Sequence, residues 1–126
     1  MTQDLMTTQQ VADRYYELAQ QGKWNEIRTE LYSQDAENRE PEHAATLGVS
    51  IHTKGLDAIM ERSKKRNEMI EEVHSEYCTH PIVGGNYFST AMGRDITFKG
   101  RPRMQNNEIG VFGVKEGKII SEQFFY

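Results

Sequence analysis

Cysteine is almost missing from this 126-residue sequence: Cys78 stands alone, so no disulfide can form within the chain and no zinc site built on cysteine pairs is available. Positive charge is also in deficit. Fifteen Lys and Arg face 19 Asp and Glu for a formal net charge of −4, which argues against nucleic acid as main partner, because phosphate binding draws its affinity from a net positive face. No apolar run approaches the roughly 18 residues of a membrane span, and the opening Met1 to Thr8 has neither a basic region nor an apolar stretch after it. A cytoplasmic protein without membrane contact is expected. The three prolines, Pro41, Pro81 and Pro102, sit singly, and no repeat, low-complexity tract or linker divides the chain, so residues 1–126 read as one domain. What remains is 37% hydrophobic and 27% charged, enough apolar material for a buried core in a chain of this length.

The pattern changes character once along the chain. Up to about Ile70 the apolar residues recur at helical spacing. Val11, Tyr15 and Leu18 make the inward stripe of a helix that starts after Thr7 or Thr8 and stops near Gly22. Trp24, Ile27 and Leu31 give a short second helix, and Gly55 opens a third with Leu56, Ile59, Met60 and Ile70 on one side. The opposite side of that helix, with Glu61, Arg62, Lys64, Lys65 and Arg66, reads as a solvated face. Beyond Glu71 strand-like alternation takes over. One strand carries Val73, Ser75, Tyr77 and Thr79 on one face and His74, Glu76, Cys78 and His80 on the other. Turns at Gly84-Gly85-Asn86, Gly100-Arg101-Pro102 and Lys115 to Lys118 separate further strands over Tyr87–Thr97, about Met104–Val114 and Ile119–Tyr126. With a short strand near Glu37–Glu40, this predicts an α+β fold: a cone-shaped, curved antiparallel sheet wrapped by about three N-terminal helices and enclosing a cup.

The order of these elements resembles the ketosteroid isomerase and SnoaL-like polyketide cyclase branch of the nuclear transport factor two-like superfamily, a cystatin-like fold. Arg14-Tyr15, Gly22, Ile27, Leu31, Asp35-Ala36, Glu40-Pro41, Gly55, Ile59 and the closing Gly117 to Ile120 carry the resemblance. It implies a small hydrophobic ligand, no cofactor, and a homodimer paired through the open sheet face. Ketosteroid isomerases use a helix tyrosine and an acid before a proline, which match Tyr15 and Glu40 here. Glu40 would then be a general base beside a carbonyl, and Tyr15 the donor to the developing oxyanion. Their second, protonated acid corresponds to Gly110, so Glu108 or Asn106, on the same strand face, would have to substitute. The resemblance leaves two functions open: an isomerase, cyclase or dehydratase working by proton transfer, or a non-catalytic ligand-binding or dimerisation module.

Histidines supply further candidates. His43 and His52 bracket a segment, residues 44–51, that could close over the cup, and related dehydratases use a pocket histidine. His74 and His80 lie about 20 Å apart along an extended strand, at roughly 3.3 Å per residue, too far to share an ion, so no metal site is predicted. Arg94-Asp95 looks like the pair some related epoxide hydrolases place in a pocket, but neighbours on a strand point to opposite faces, and a surface charge is the simpler expectation.

Overall fold

A capping box starts the first helix, α1 (Thr8–Gln20): the Thr7 hydroxyl accepts from the Gln10 N–H at 3.1 Å, and the Gln10 side chain accepts from the Thr7 N–H at 2.9 Å. The computed structural model of the chain describes residues 5–126. Residues 1–4, part of the N-terminal stretch behind the expected cytoplasmic location, lie outside the described residues. Past α1 the chain turns at Gly22, whose φ of 68° lies in the left-handed region. It continues directly into α2 (Trp24–Leu31) and β1 (Tyr32–Arg39). Arg14 holds α1 to α2 through a two-pronged bond to Glu30, 2.6 and 2.9 Å.

After β1 comes a 3-10 helix (Glu42–Leu47), then β2 (His52–Lys54) and α3 (Leu56–Glu68). The remaining strands are β3 (Ile70–Cys78), β4 (Ile82–Gly84), β5 (Tyr87–Phe98), β6 (Met104–Lys115) and β7 (Lys118–Phe125). They form one unclosed sheet in the order β2-β1-β7-β6-β5-β3, with β4 also paired to β5. Helices lead and strands follow, as the pattern predicts, and the fold is α+β. Several details differ from the prediction: the first strand runs Tyr32–Arg39 and leaves Glu40 just outside it, β2 and β4 are additional, and two further differences have clear causes. Ile70 begins β3 instead of ending the third helix, because α3 stops at Glu68 and Met69 turns the chain. The sheet also contains one parallel pair, β1 with β7, because β1 enters from α2 and lies beside the last strand after the antiparallel strands have been laid down.

The helices cover one face of the sheet, and the core between them is aromatic. Tyr15 of α1 meets Phe112 of β6 at 4.8 Å between ring centroids and Phe88 of β5 at 5.6 Å, while Phe88 and Phe112 stack at 4.8 Å. Leu18, Ile27, Leu31 and Ile119 complete it, all essentially inaccessible to water. Gly110 makes room for this arrangement: a Cβ there would approach the Phe112 ring to 2.9 Å and the Phe124 ring to 3.0 Å. The position that matches the isomerases' second acid is therefore filled by two aromatic rings.

Phe112 touches Tyr15, Phe88 and Phe124, so its truncation leaves a void between helix and sheet. Phe112→Ala should cost about 3–5 kcal/mol in urea denaturation; a loss below 1 kcal/mol would mean that the aromatic block does not hold α1 on the sheet.

Candidate functional site

Beside the aromatic block, where α2 and α3 stand away from the sheet, lies a cavity of about 460 Å³. That is within the range of small-molecule sites. Its wall combines the first turn of α2, one face of α3, the end of β1, and the inward faces of β5, β6 and β7. Apolar contact comes from Trp24, Ile59, Met92 and Phe124, but charged side chains dominate the rest.

The innermost polar group is Glu122 of β7, 2% exposed. A carboxylate so deep must be met by donors. Tyr32 donates its hydroxyl to one oxygen and the Asn38 amide donates to the other at 2.7 Å. The same amide reaches Glu40 at 2.9 Å, and Arg62 of α3 donates to the Asn38 carbonyl oxygen at 2.6 Å. Glu40, the residue after β1, also accepts from the Tyr126 hydroxyl at 3.0 Å and lies 3.5 Å from Arg62. Its lone pairs are thus occupied by a ring of donors. Tyr32 and Tyr126 both feel the acids they face: burial, then the charge of Glu122, drives the Tyr32 phenol well up, while burial and Glu40 push Tyr126 up to about 12.

Glu108 is differently placed. It projects from β6 opposite Met92 and has no hydrogen-bond or ion-pair partner among the described residues. Loss of hydration pushes its carboxyl from 4.5 up to about 7, with Arg66 opposing and the charges of Glu40 and Glu122 adding to the rise. Tyr15 lines the cavity from α1 with a hydroxyl likewise unpartnered among the described residues; burial, then the negative charge of Glu122, keeps its proton firmly bound. A carboxyl that exchanges its proton near neutrality therefore shares a cavity with a phenol that keeps its own.

Of the residues singled out from the sequence, Tyr15, Glu40, Glu108 and Asn106 line this cavity. His43 and His52 are not in its lining. The 3-10 helix takes in His43 and the residues up to Leu47, and β2 starts at His52, which leaves the His43 ring edge-on to Tyr126 at 5.5 Å and His52 3.4 Å from Glu37. Other expectations change too. Arg62 and Arg66, read as a solvated helix face, follow Ile59 by three and seven residues and so continue its inward stripe into the cavity. Arg94 also points in, 3.2 Å from Glu76 and over the Trp24 ring, while its neighbour Asp95 faces away and pairs with Arg103. Glu122 and Asn38 went unnoticed in the sequence. Their signal is faint: a bulge between Gly113 and Val114 in the β6–β7 pairing shifts parity, so counting by two from Ile119 places Glu122 on the wrong face.

The open, one-sided cup with its helices at the N-terminal end defines a class, and sequence comparison supplies the family. The chain belongs to the SnoaL-like domain family, which matches residues 6–126. A Mesorhizobium loti protein named by likeness as a SnoaL-like polyketide cyclase superposes with a TM-score of 0.87 at 29% identity, covering 96% of this chain and 100% of its own. A Xanthomonas campestris protein of unknown function with a cystatin-like fold gives 0.73 at 16% identity, over 95% of this chain and 90% of its own. A Catenulispora acidiphila protein with a ketosteroid isomerase-like fold, solved with trimethylamine, gives 0.69 at 19% identity, over 92% and 84%. No curated protein matches the chain.

The environment of Glu108 has a consequence for stability. In the folded chain its carboxyl keeps a proton over the interval from 4.5 to about 7, in which an unfolded chain has already lost it. The folded state therefore binds more protons there, and stability falls as pH rises through that window, by on the order of 3 kcal/mol in all. Glu108→Gln keeps the shape without the ionisation. Subtracting its urea-derived stabilities from those of the parent between about pH 4 and pH 8 should isolate this slope; parallel curves would show a carboxyl that is freely hydrated.

Proposed function

We propose that the cavity belongs to a cofactor-independent enzyme that moves a proton at carbon beside a carbonyl group, the step shared by isomerases, polyketide-type cyclases and dehydratases. One observation carries the reading: an unpartnered carboxyl held near neutrality and an unpartnered phenol that retains its proton line the same cavity. Glu108, when ionised, takes the proton from the α carbon. The C–H electron pair becomes the carbon–carbon π bond, the carbonyl π pair moves onto oxygen, and the Tyr15 hydroxyl donates a hydrogen bond to that oxygen. Glu108 then returns the proton to carbon or assists loss of a leaving group.

Sequence resemblance gives the base role to Glu40 instead. Its surroundings favour a positioning role, because Asn38, Tyr126 and Arg62 already engage its oxygens. Isotope exchange decides between them. With 4-oxo-4-phenylbutanoate in deuterated water, followed by NMR, Glu108→Gln should lower the rate of α-proton exchange by about 10²–10⁴-fold. Glu40→Gln should lower it less. The reverse order would return the base to Glu40, and no exchange in the parent protein would favour a binding module. The parent rate should rise with pH through a single ionisation near 7. The charged groups facing Glu108 are Arg66 from α3, Arg94 from β5, Glu40 after β1 and Glu122 from β7, so neutralising Arg66 should move that ionisation upward.

The same proposal includes a homodimer in the cytoplasm. Ile109 and Phe125 are register partners on the sheet face away from the helices, 51% and 49% exposed, with Tyr87 exposed on that face as well. An apolar row of this kind suits an isologous contact between two sheets. Sedimentation of the parent should show a dimer and that of Ile109→Glu a monomer; a monomeric parent would remove this part.

A further inference from the structure

The cavity has an electrostatic bias that the proton-transfer reading does not use. In a chain of net charge −4, its lining holds five cationic side chains against four carboxylates, and Glu76, against Arg94, makes a fifth carboxylate beside it. Two of the cations are already balanced: Arg62 lies against Glu40, and Arg94 against Glu76. Arg28 and Arg66 have no carboxylate within 4.0 Å among the described residues. Arg28 spends one nitrogen on the Ser63 hydroxyl at 2.9 Å, while its Nε is shut off from water with no partner. Arg66 sits three residues after Ser63 on α3, its guanidinium 5.9 Å from the Phe98 ring centroid. It is open to water inside the cavity yet surrounded by protein, and burial draws its pKa below the ordinary arginine value. Arg28 from α2 and Arg66 from α3 thus both line the cavity without a carboxylate partner.

A guanidinium keeps its charge and offers a planar fork of donors that fits a carboxylate. Without an anion, the water-excluded Nε of Arg28 and the partly desolvated Arg66 gain nothing in return for the hydration they lose. Two guanidinium groups without carboxylate partners suit a monoanion, whereas a phosphate dianion would be repelled more strongly by Glu40, Glu108 and Glu122 across the same cavity. We propose that the cavity takes an oxo acid, with the ligand's carboxylate seated against Arg66 and Arg28 on the α2–α3 wall and its carbonyl toward Tyr15 and Glu108. The placing of the carbonyl rests on the proton-transfer reading; the carboxylate subsite rests on the cavity alone. The expected hydrophobic ligand becomes an amphipathic one, its apolar body against Ile59, Met92 and Phe124.

Calorimetric titration tests the subsite without turnover. The probes are 4-oxo-4-phenylbutanoate, its uncharged methyl ester and inorganic phosphate. The acid should bind the parent protein at least about tenfold more tightly than the ester, a difference of roughly 1.4 kcal/mol, and phosphate should bind more weakly than the acid. Arg66→Gln should remove that preference while leaving ester affinity within about twofold, and Arg66→Lys should restore part of it. Arg28→Gln should act in the same direction. Equal affinity for acid and ester overturns the inference, as does binding of neither, binding of phosphate above the acid, or loss of both organic ligands together in folded Arg66→Gln. Acid binding without α-proton exchange would leave the carboxylate subsite standing and dispose of the proton-transfer reading.

Discussion

Burying Glu122 is the constraint around which this fold is organised. A carboxylate at 2% exposure is sustainable only with donors on both oxygens, and those donors, Tyr32 and Asn38, come from the two ends of β1. Meeting that need brings β1 alongside β7 in the one parallel pairing among the described residues. Asn38 then has a second amide contact and a carbonyl oxygen to satisfy. They recruit Glu40 from the end of the same strand and Arg62 from α3, with Tyr126 closing the ring from the end of the chain. One buried charge thereby ties together β1, β7, α3 and the C-terminal residue. Networks of this sort are costly if any member is missing, which makes them strong specifiers of a single arrangement.

Aromatic packing does a complementary job. Tyr15, Phe88, Phe112 and Phe124 fill the cup on one side of the polar ring and keep α1 seated, while α2 and α3 stand off the sheet on the other. Because the rings occupy the space over Gly110, the acid side chain of β6 enters two residues earlier, at Glu108. Displacement along the strand carries it away from the donor ring, and lack of partners is what lets desolvation dominate its proton affinity. Three of the cavity's acids thus acquire different characters from their neighbours alone: Glu122 buried and engaged at both oxygens, Glu40 engaged at both oxygens nearer the surface, Glu108 free of partners among the described residues.

Much of this was legible in the sequence, and the failures have physical causes. The helices declared themselves through Val11, Tyr15 and Leu18 and through Leu56 and Ile59, since buried faces follow the helical period. β6 pairs with β5 without interruption from Met104 to Gly113, so counting by two put Asn106 and Glu108 on the same side as Gly110. In β7 the same arithmetic broke down: the register with β6 slips by one residue, and Ile119 and Glu122 both face inward despite their odd spacing. Arg62 and Arg66 were hidden for another reason. A charged residue at helical spacing from Ile59 reads as surface unless a cavity is known to lie beneath it, and hydrophobic periodicity carries no information about cavities.

The slipped residue in β7 also bears on how this chain can change over evolutionary time. Single substitutions along the strand alter one contact each. Removal of Ile120 would restore strict alternation and leave Glu122 facing inward, because Ile119 and Glu122 would then stand two apart; removal of Gln123, beyond the slip, would instead turn Phe124 and Tyr126 outward, emptying their places in the aromatic block and against Glu40 at one stroke. The number of residues from Glu122 to Tyr126 therefore constrains the cavity more than the identity of any single exposed residue among them.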